Sequence, residues 1–212
     1  MKIAIRGASG FVGSAILDEA VSRGHHVTAI VRDTSKVAPH PQITTVAVDA
    51  QDPQALADVL RGHDRVISAY NPGWTAPDIY DQYLKGASAT VEPAKAAHSW
   101  WLVVGGAGSL EIAPGVQLVD TPDFPAEWKQ GALAARDGLT ALRREAAIDW
   151  RFVSPPVFLE PGEKRGGYRL GGDQVLFSGD KPAGITVGDL ANAVLNEAEQ
   201  PAHLRQRFTL GY

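Results

Sequence analysis

The first thirty-three residues constrain the fold of this chain more than any other segment. An apolar run at 2–6 leads directly into the glycine-rich sequence Gly7-Ala-Ser-Gly10-Phe-Val-Gly13. An amphipathic helix is predicted after it over 11–23, and a second strand over 26–31. Gly7 allows a tight turn out of the first strand, and Gly13 allows the helix to pack closely on the sheet. The segment therefore predicts a strand–turn–helix–strand unit of a mostly parallel α/β fold.

Gly10 has a separate role in this unit. Without a side chain, it lets a diphosphate approach the backbone. The free N–H groups and the positive dipole end of the following helix then favour the negative charge of the phosphates. Because a buried strand and an amphipathic helix enclose the three glycines, we interpret the turn as a dinucleotide site. The alternative is a glycine-rich turn that binds nothing.

The end of the second predicted strand indicates which dinucleotide is bound. NAD-binding proteins usually place an acidic side chain there, whereas an arginine suits the 2′-phosphate of NADP. Here the strand ends in Val31, Arg32 and Asp33, with no carboxylate just before Arg32. Because a guanidinium pairs with phosphate in bidentate fashion, the sequence favours NADP(H) over NAD(H). A solvated loop charge at Arg32, weakened by Asp33, is the alternative.

Two further charged residues lie near this predicted site. Arg6 precedes Gly7 and is either a second phosphate contact or a side chain that extends from the strand end toward solvent. Asp49 follows an apolar run and either meets the adenine amino group or caps a turn before Pro53.

Composition narrows the class of protein. A chain of 212 residues suits one α/β domain. A net charge of −4 with scattered basic residues argues against nucleic acid as a partner. The absence of cysteine excludes disulfides, thiolate nucleophiles and cysteine metal sites, and we predict no metal. Neither a signal peptide nor a membrane-spanning run is evident, so a cytoplasmic protein without membrane contacts is expected.

Strand-like and helix-like patterns alternate along the chain, as in βαβ units. Strands are predicted over 2–6, 26–31, 43–48, 64–70, 100–105 and 149–154. Helices are predicted over 11–23, 53–61, 77–98, 128–147 and 187–199. We therefore predict a single-domain Rossmann fold over 1–212. Its sheet is doubly wound and mostly parallel, with a small C-terminal substrate-side region mainly at 154–185.

Local signals refine three of these segments. Pro93 predicts a kink or an end within the third helix. In the fourth, apolar residues recur at helical spacing and predict one face against the sheet, namely Trp128, Ala132, Ala135, Leu139, Leu142 and Ala146. Thr186 and Asp189 predict a capping box at the start of the last helix. The glycine-rich stretch 161–167 is either a lid over the site or a hairpin loop.

Ligands of an open α/β sheet bind beyond the carboxyl ends of the strands, where the strand order reverses. The predicted strand ends at 68–74, 105–109 and 154–158 carry small or aromatic residues, which suit contact with a ring. The predicted dinucleotide site comprises Gly7, Ser9, Gly10, Phe11, Val12, Gly13, Arg32, Asp49, Ala69, Tyr70, Gly105, Gly106 and Pro155. The predicted acceptor pocket comprises Tyr70, Trp74, Trp128 and Phe158.

Six segments together resemble a known family. They are 7–13, Val31-Arg32, 103–110, Phe124-Pro-Ala-Glu-Trp-Lys129, Asp149-Trp-Arg-Phe-Val-Ser-Pro155 and Tyr168-Arg-Leu-Gly-Gly-Asp-Gln174. Over essentially its whole length the chain resembles the atypical short-chain dehydrogenase/reductase-like proteins, in particular small bacterial NAD(P)H-binding proteins described as NADH-flavin reductases. It is also similar to NmrA-like proteins and to flavin/biliverdin reductases. The resemblance implies a Rossmann core, NAD(P)H binding and, in active members, hydride transfer to a flavin or similar acceptor.

The chain departs from the usual catalytic set of short-chain dehydrogenases. That set includes a tyrosine that donates a proton and a lysine four residues later that lowers its pKa. Here Leu84 follows Tyr80 and Ala87 follows Tyr83 at that spacing, and Trp128 stands at roughly the tyrosine position. Ser109 matches the family serine, so it is the one catalytic candidate, as an orienting hydrogen-bond donor or as a mere turn cap. Alcohol dehydrogenase and epimerase mechanisms are disfavoured.

Two functions remain open. The first is an NADP(H)-dependent reductase that transfers hydride to a flavin, quinone or similar planar acceptor, because that transfer needs no protein acid. The second is a non-catalytic NADP(H) sensor or regulator of the NmrA-like type. The helices at 77–98 and 128–147 commonly form a dimer interface in related folds, so a homodimer is possible.

Overall fold

The computed structural model describes residues 1–96 and 100–212. In chain order, its strands are β1 (Lys2–Arg6), β2 (His26–Val31), β3 (Ile43–Ala47), β4 (Arg65–Ser68), β5 (Trp100–Val104), β6 (Glu111–Ala113), β7 (Val116–Gln117), β8 (Asp149–Ser154), β9 (Phe158–Glu160), β10 (Arg169–Gly171), β11 (Phe177–Ser178), β12 (Lys181–Pro182), β13 (Gly184–Thr186) and β14 (Gln206–Gly211). Its α-helices are α1 (Phe11–Ser22), α2 (Pro53–Leu60), α3 (Ile79–Ser88), α4 (Val91–Ala96), α5 (Ala126–Leu142) and α6 (Val187–Glu199).

An eight-stranded sheet organises the chain, in the order β10-β14-β8-β5-β4-β1-β2-β3. Its strands run parallel, except that β10 pairs antiparallel with β14. From β1 the chain builds the sheet first toward β3 and then, starting again at β4, in the opposite direction. The strand order therefore reverses between β1 and β4, where Arg6 pairs with Ser68 at the carboxyl ends. This arrangement confirms the predicted doubly wound Rossmann fold.

Helices cover both faces of this sheet, because successive side chains of a strand point to opposite sides. In β1, Ile3 and Ile5 belong to the buried cluster that includes side chains of α1 and α6. Ala4 belongs to the opposite cluster, which includes side chains of α2, α4 and α5. The carboxyl edge of the sheet is thus held between two packed layers.

The predicted third helix, 77–98, is wrong in its continuity. The structure has two helices there, α3 and α4, separated by Ala89 and Thr90. Pro93 does not kink or end a helix, as predicted, but lies in the first turn of α4. A proline is tolerated at that position because the N–H it lacks has no partner within the helix. The predicted end at His98 lies outside the described residues.

The predicted fourth helix is shifted toward its N-terminus. The structure places α5 at Ala126–Leu142, and Ala132, Ala135, Leu139 and Leu142 are buried as predicted. The assignment of the other two residues to the buried face is wrong. Trp128 is 50% exposed in the first turn, and Ala146 lies beyond the helix end.

Only half of the predicted capping box is present at the start of α6. Thr186 Oγ1 accepts the backbone N–H of Asp189 at 3.2 Å. The Asp189 carboxylate turns instead to the 161–167 segment and accepts the N–H groups of Arg165 and Gly166, at 2.9 Å each. It also accepts the hydroxyl of Tyr212 at 2.6 Å. Asp189 thereby fastens this segment to α6, and these hydrogen bonds lower its pKa although burial opposes them.

Strand β14 was not predicted. It pairs parallel with β8 and antiparallel with β10, and Phe208 and Leu210 are fully buried. In the described part of the chain, no helix combines the length and apolar character needed to cross a membrane.

Candidate functional site

In the turn after β1, backbone conformation and close packing require glycine at two positions, whether or not a ligand binds. Gly7 has a φ of +79°, and a Cβ there would lie 2.7 Å from the carbonyl oxygen of Ala69. A Cβ at Gly13 would lie 2.0 Å from the carbonyl oxygen of Gly7. These contacts confirm that Gly7 forms a tight turn and that Gly13 brings α1 close to it. They also bring Ala69, at the end of β4, against the turn.

Gly10 differs from these two glycines, because the protein itself does not require it. Its φ of −82° is open to any residue, and a Cβ would stand at an ordinary 3.4 Å from the Gly7 oxygen. Ser9, Gly10 and Phe11 are exposed. Within the described residues, no side chain caps the start of α1. The N–H groups of Phe11, Val12 and Gly13 are therefore available to an anion, as a bound diphosphate requires.

Arg32 extends from the end of β2 as an exposed side chain. The neighbouring Asp33 does not pair with it. Instead, the Asp33 carboxylate accepts the N–H of Ser35 at 3.0 Å and its hydroxyl at 2.7 Å. These hydrogen bonds lower the pKa of Asp33. Ser35 holds Asp33, and no carboxylate in the described part of the chain pairs with Arg32, so its guanidinium is available to a phosphate.

Both sequence interpretations of Arg6 are wrong. Its side chain is 2% exposed, so it neither extends toward solvent nor reaches a phosphate beyond the turn. Arg6 shares a strand face with Ala4, and this alternation directs it into the helix layer. There its guanidinium donates to Thr90 Oγ1 at 2.6 Å and to the Gly86 carbonyl at 2.8 Å, and it lies 4.2 Å from the centre of the Tyr70 ring.

Asp49 and Tyr70 also have partners within the protein. Asp49 Oδ1 accepts the N–H of Gln51 at 2.9 Å, which is the turn-capping alternative. The Tyr70 hydroxyl donates to the Gln82 carbonyl at 3.2 Å, and its ring covers Gly86 so closely that a Cβ there would lie 2.3 Å from Tyr70 Cε1. Tyr70 is therefore packed against α3 and lies between this helix and the glycine-rich turn.

Ser109, the predicted catalytic residue, lies beyond the end of β5 and is 4% exposed. Arg207 of β14 donates to both its hydroxyl and its carbonyl oxygen, each at 2.9 Å. Arg207 is itself buried and also bonds Asp173 at 2.7 Å. Sequence reasoning missed Arg207, because its partners lie far away in the chain. The Ser109 hydroxyl is thus held as an acceptor inside the protein.

Comparison with known proteins decides the family. The model of the NAD(P)H-binding family matches residues 7–201. The chain belongs to this family. Similar proteins of known structure cover the whole length of this chain. It is 37% identical to a proposed NADH-flavin reductase from Streptococcus pneumoniae TIGR4, with a TM-score of 0.89, covering 100% of this chain and 99% of that one.

Two other relatives are similar over comparable lengths. A proposed epimerase from Bacteroides thetaiotaomicron is 40% identical with a TM-score of 0.93, covering 100% of this chain and 96% of that one. The uncharacterised protein YwnB of Bacillus subtilis (strain 168) is 40% identical over 215 residues, covering 99% of this chain and 98% of its own. An NAD(P)H-binding, oxidoreductase-like fold is therefore established for the chain.

In this family member, large aromatic side chains are exposed where the acceptor pocket is predicted. Trp74, Trp128 and Phe158 are 58%, 50% and 50% exposed. The Trp74 ring lies so close to α5 that a Cβ at Gly131 would be 2.7 Å from its Cζ3. Trp128 lies one turn before Gly131, on the same side of α5. Phe158 lies at the start of β9 and forms no aromatic pair with these indoles.

The remaining predicted contacts lie along the carboxyl edge. Gly105 follows β5 and is required there, because a Cβ would lie 2.0 Å from Cζ of the buried Phe152 ring. Gly106 is open, with no atom nearer than 3.9 Å to such a Cβ. Pro155 follows β8 and is buried. In residues 1–96 and 100–212, no three His, Asp or Glu side chains group closely enough to hold a metal ion.

Proposed function

We propose that the protein is an NADP(H)-dependent reductase that transfers hydride to a flavin, quinone or similar planar acceptor. The proposal that the cofactor is NADP(H) rests mainly on the geometry at the start of α1. The fold has room for a side chain at position 10, so it does not itself require a glycine there, and no side chain of the described residues caps the helix. Arg32, not paired with Asp33, supports the preference for the 2′-phosphate.

NADPH, when bound, would supply a hydride, and the acceptor would take that hydride together with one proton from solvent. The chain's own residues bind and orient the cofactor and the planar acceptor. The α1 N–H groups hold the diphosphate, Arg32 holds the 2′-phosphate, and the open backbone at Gly106 leaves room for a ring. Trp74 and Trp128 offer exposed indole surface on which a planar acceptor can stack.

No tyrosine in the sequence is followed by a lysine four residues later, and this supports a flavin or quinone over an alcohol, ketone or sugar. Trp128 stands where a proton-donating tyrosine would be expected, and the Ser109 hydroxyl is buried, where it accepts a hydrogen bond from Arg207. A ring that accepts hydride and takes its proton from water needs neither. The relative from Streptococcus pneumoniae, a proposed NADH-flavin reductase, is consistent with this choice.

The cofactor part is tested by titrating the protein with NADPH and NADH and following nicotinamide fluorescence. NADPH should bind at least about tenfold more tightly, because a guanidinium–phosphate pair is a strong charge-assisted contact. Arg32→Ala should remove that preference and leave NADH affinity unchanged. Arg144→Ala, which changes another exposed arginine, is the control and should retain the preference. If Arg32→Ala weakens both nucleotides equally, Arg32 does not select the 2′-phosphate.

The acceptor part is tested by adding FMN, FAD or menadione to the NADPH-loaded protein and following absorbance of the reduced nicotinamide. A reductase oxidises NADPH faster when the acceptor is added. A sensor of the NmrA-like type binds NADPH and shows no acceptor-dependent rate. Tight binding without turnover would therefore replace the reductase by the sensor.

A further inference from the structure

A cavity of about 610 Å³ lies between the sheet and the α3–α5 layer, and we call it the α3/α5 cavity. Its volume falls within the range of roughly 300–1,000 Å³ that is typical of small-molecule sites. The walls are mainly apolar, and the large side chains among them are Tyr83, Leu84, Trp101, Val103, Leu142 and Phe152. Of the residues predicted to bind the dinucleotide, Tyr70 alone lines the cavity among those described, so the two sites are distinct.

Arg6 places a buried positive charge at this cavity. Its hydrogen-bond partners are all neutral oxygens, which belong to Ser68, Thr90, Ala50 and Gly86. In the described part of the chain, no carboxylate lies within ion-pair distance of Arg6, and its Nε–H has no partner. Burial lowers the pKa of Arg6 to about 10, so the guanidinium remains charged at neutral pH.

A buried cation without a counter-ion is costly, and a missing hydrogen-bond partner adds to that cost. A carboxylate bound in the cavity would supply the opposite charge. The apolar walls would in turn favour a hydrocarbon body over a second charged group. We propose that the α3/α5 cavity binds a small monocarboxylate with an apolar body, held by Arg6 and packed against Tyr83, Trp101 and Phe152.

The charges at the rim are consistent with a single negative charge on the ligand. Glu92 and Glu145 line the cavity, but Lys95 bridges them at 2.9 Å and 3.0 Å. Lys85 is exposed at the rim and adds a further positive charge. With both rim carboxylates held by Lys95, Arg6 and Lys85 remain to attract an anion.

The test is isothermal titration of the full chain with phenylbutyrate and, as its neutral counterpart, phenylbutanol. Phenylbutyrate should bind at least about tenfold more tightly, since a charge-assisted hydrogen bond to a buried group distinguishes the two. Arg6→Met should abolish that difference. Ala141→Trp, which places an indole at a lining position of α5, should abolish phenylbutyrate binding. Thr140→Trp changes an exposed neighbour that does not line the cavity, and it should bind phenylbutyrate as the parent does.

The paired tryptophan variants keep the proposal falsifiable if Arg6→Met does not fold. Equal affinity for the acid and the alcohol would overturn the role of Arg6. Unchanged phenylbutyrate binding in Ala141→Trp would place the ligand elsewhere, and no binding in the parent would remove the site. None of these outcomes depends on nicotinamide binding, so the proposal stands or fails separately from the reductase function.

Discussion

Two serine substitutions in the same turn should separate cofactor binding from folding. At Gly10 the added Cβ meets nothing closer than 3.4 Å, whereas at Gly13 it would lie 2.0 Å from a backbone oxygen. The same side chain is therefore compatible with the fold at one position and incompatible at the other. We expect Gly10→Ser to impair nucleotide binding alone and Gly13→Ser to impair the fold.

The magnitudes follow from these contacts. Serine is as good a helix N-cap as glycine or better, by a few tenths of a kcal/mol, so Gly10→Ser should leave the free energy of unfolding nearly unchanged or raise it slightly. Its side chain occupies the space next to the α1 N–H groups and accepts one of them. The loss of one charge-assisted hydrogen bond, about 1.5–3 kcal/mol, raises the Kd for NADPH by about 10- to 150-fold.

Gly13→Ser gains about 0.5 kcal/mol of helix propensity. Overpacking costs about 1–3 kcal/mol or more, and here the atom that is met is backbone, which no change of rotamer can move aside. The net loss of about 0.5–2.5 kcal/mol or more corresponds to a fall in Tm of roughly 1–10 °C or more for a chain of this size.

Thermal denaturation and NADPH titration of the two variants and the parent provide the measurements. The reasoning is refuted if Gly13→Ser melts with the parent, because the close approach of α1 to Gly7 would then be relaxed in solution. It is equally refuted if Gly10→Ser folds normally and binds NADPH with the parent Kd. In that case the open glycine does not mark the diphosphate site.

Four further variants test three other contacts. Ser109→Ala should lower the free energy of unfolding by about 1–3 kcal/mol, because Arg207 loses a buried hydrogen-bond acceptor. The same substitution should leave the flavin- or quinone-dependent oxidation of NADPH nearly unchanged. A fall of about 100-fold in kcat would instead show that the serine acts on a proton. Asp189→Asn should cost about 1–3 kcal/mol at pH 7 in urea denaturation. Because the folded pKa of Asp189 is lowered, its contribution exists above the unfolded pKa of about 3.9, and the difference between parent and variant should shrink as the pH falls below about 5. Gly105→Ala should lower Tm through overpacking of about 1–3 kcal/mol against a buried phenylalanine, whereas the open neighbour Gly106→Ala should not.

The parts of the fold that the sequence predicts are those set by local periodicity. The bounds of β1, β2, β8 and α6 agree with prediction to the residue, because each is a continuous apolar or amphipathic run between clear stop signals. The α3–α4 segment fails because its interruption at Ala89 and Thr90 contains no strong helix breaker, whereas Pro93, the obvious signal, is tolerated in a first turn.

The sequence does not predict strand β14, because its local pattern is weak and its hydrogen bonds to neighbouring strands define it. Its alternation of buried Phe208 and Leu210 is short, and β8 and β10 complete its hydrogen bonding from distant parts of the chain. Arg207 in the same strand is buried and forms hydrogen bonds with Asp173 and Ser109. An arginine in such a strand is ordinarily expected at the surface, so the sequence alone does not indicate this contact.

The same contrast separates the two halves of the candidate site. The dinucleotide turn is contiguous in sequence, so steric requirements within residues 7–13 define it, and each glycine can be assigned a cause. The predicted acceptor side draws on residues near the ends of β4, β5 and β8 and on α5. Whether an aromatic residue there faces a ligand or the interior is decided by which helix packs beside it. Trp128 illustrates this, since helical spacing places it on the buried face of α5 although it is half exposed. Cofactor class can therefore be derived from one motif, whereas the acceptor must be established by turnover.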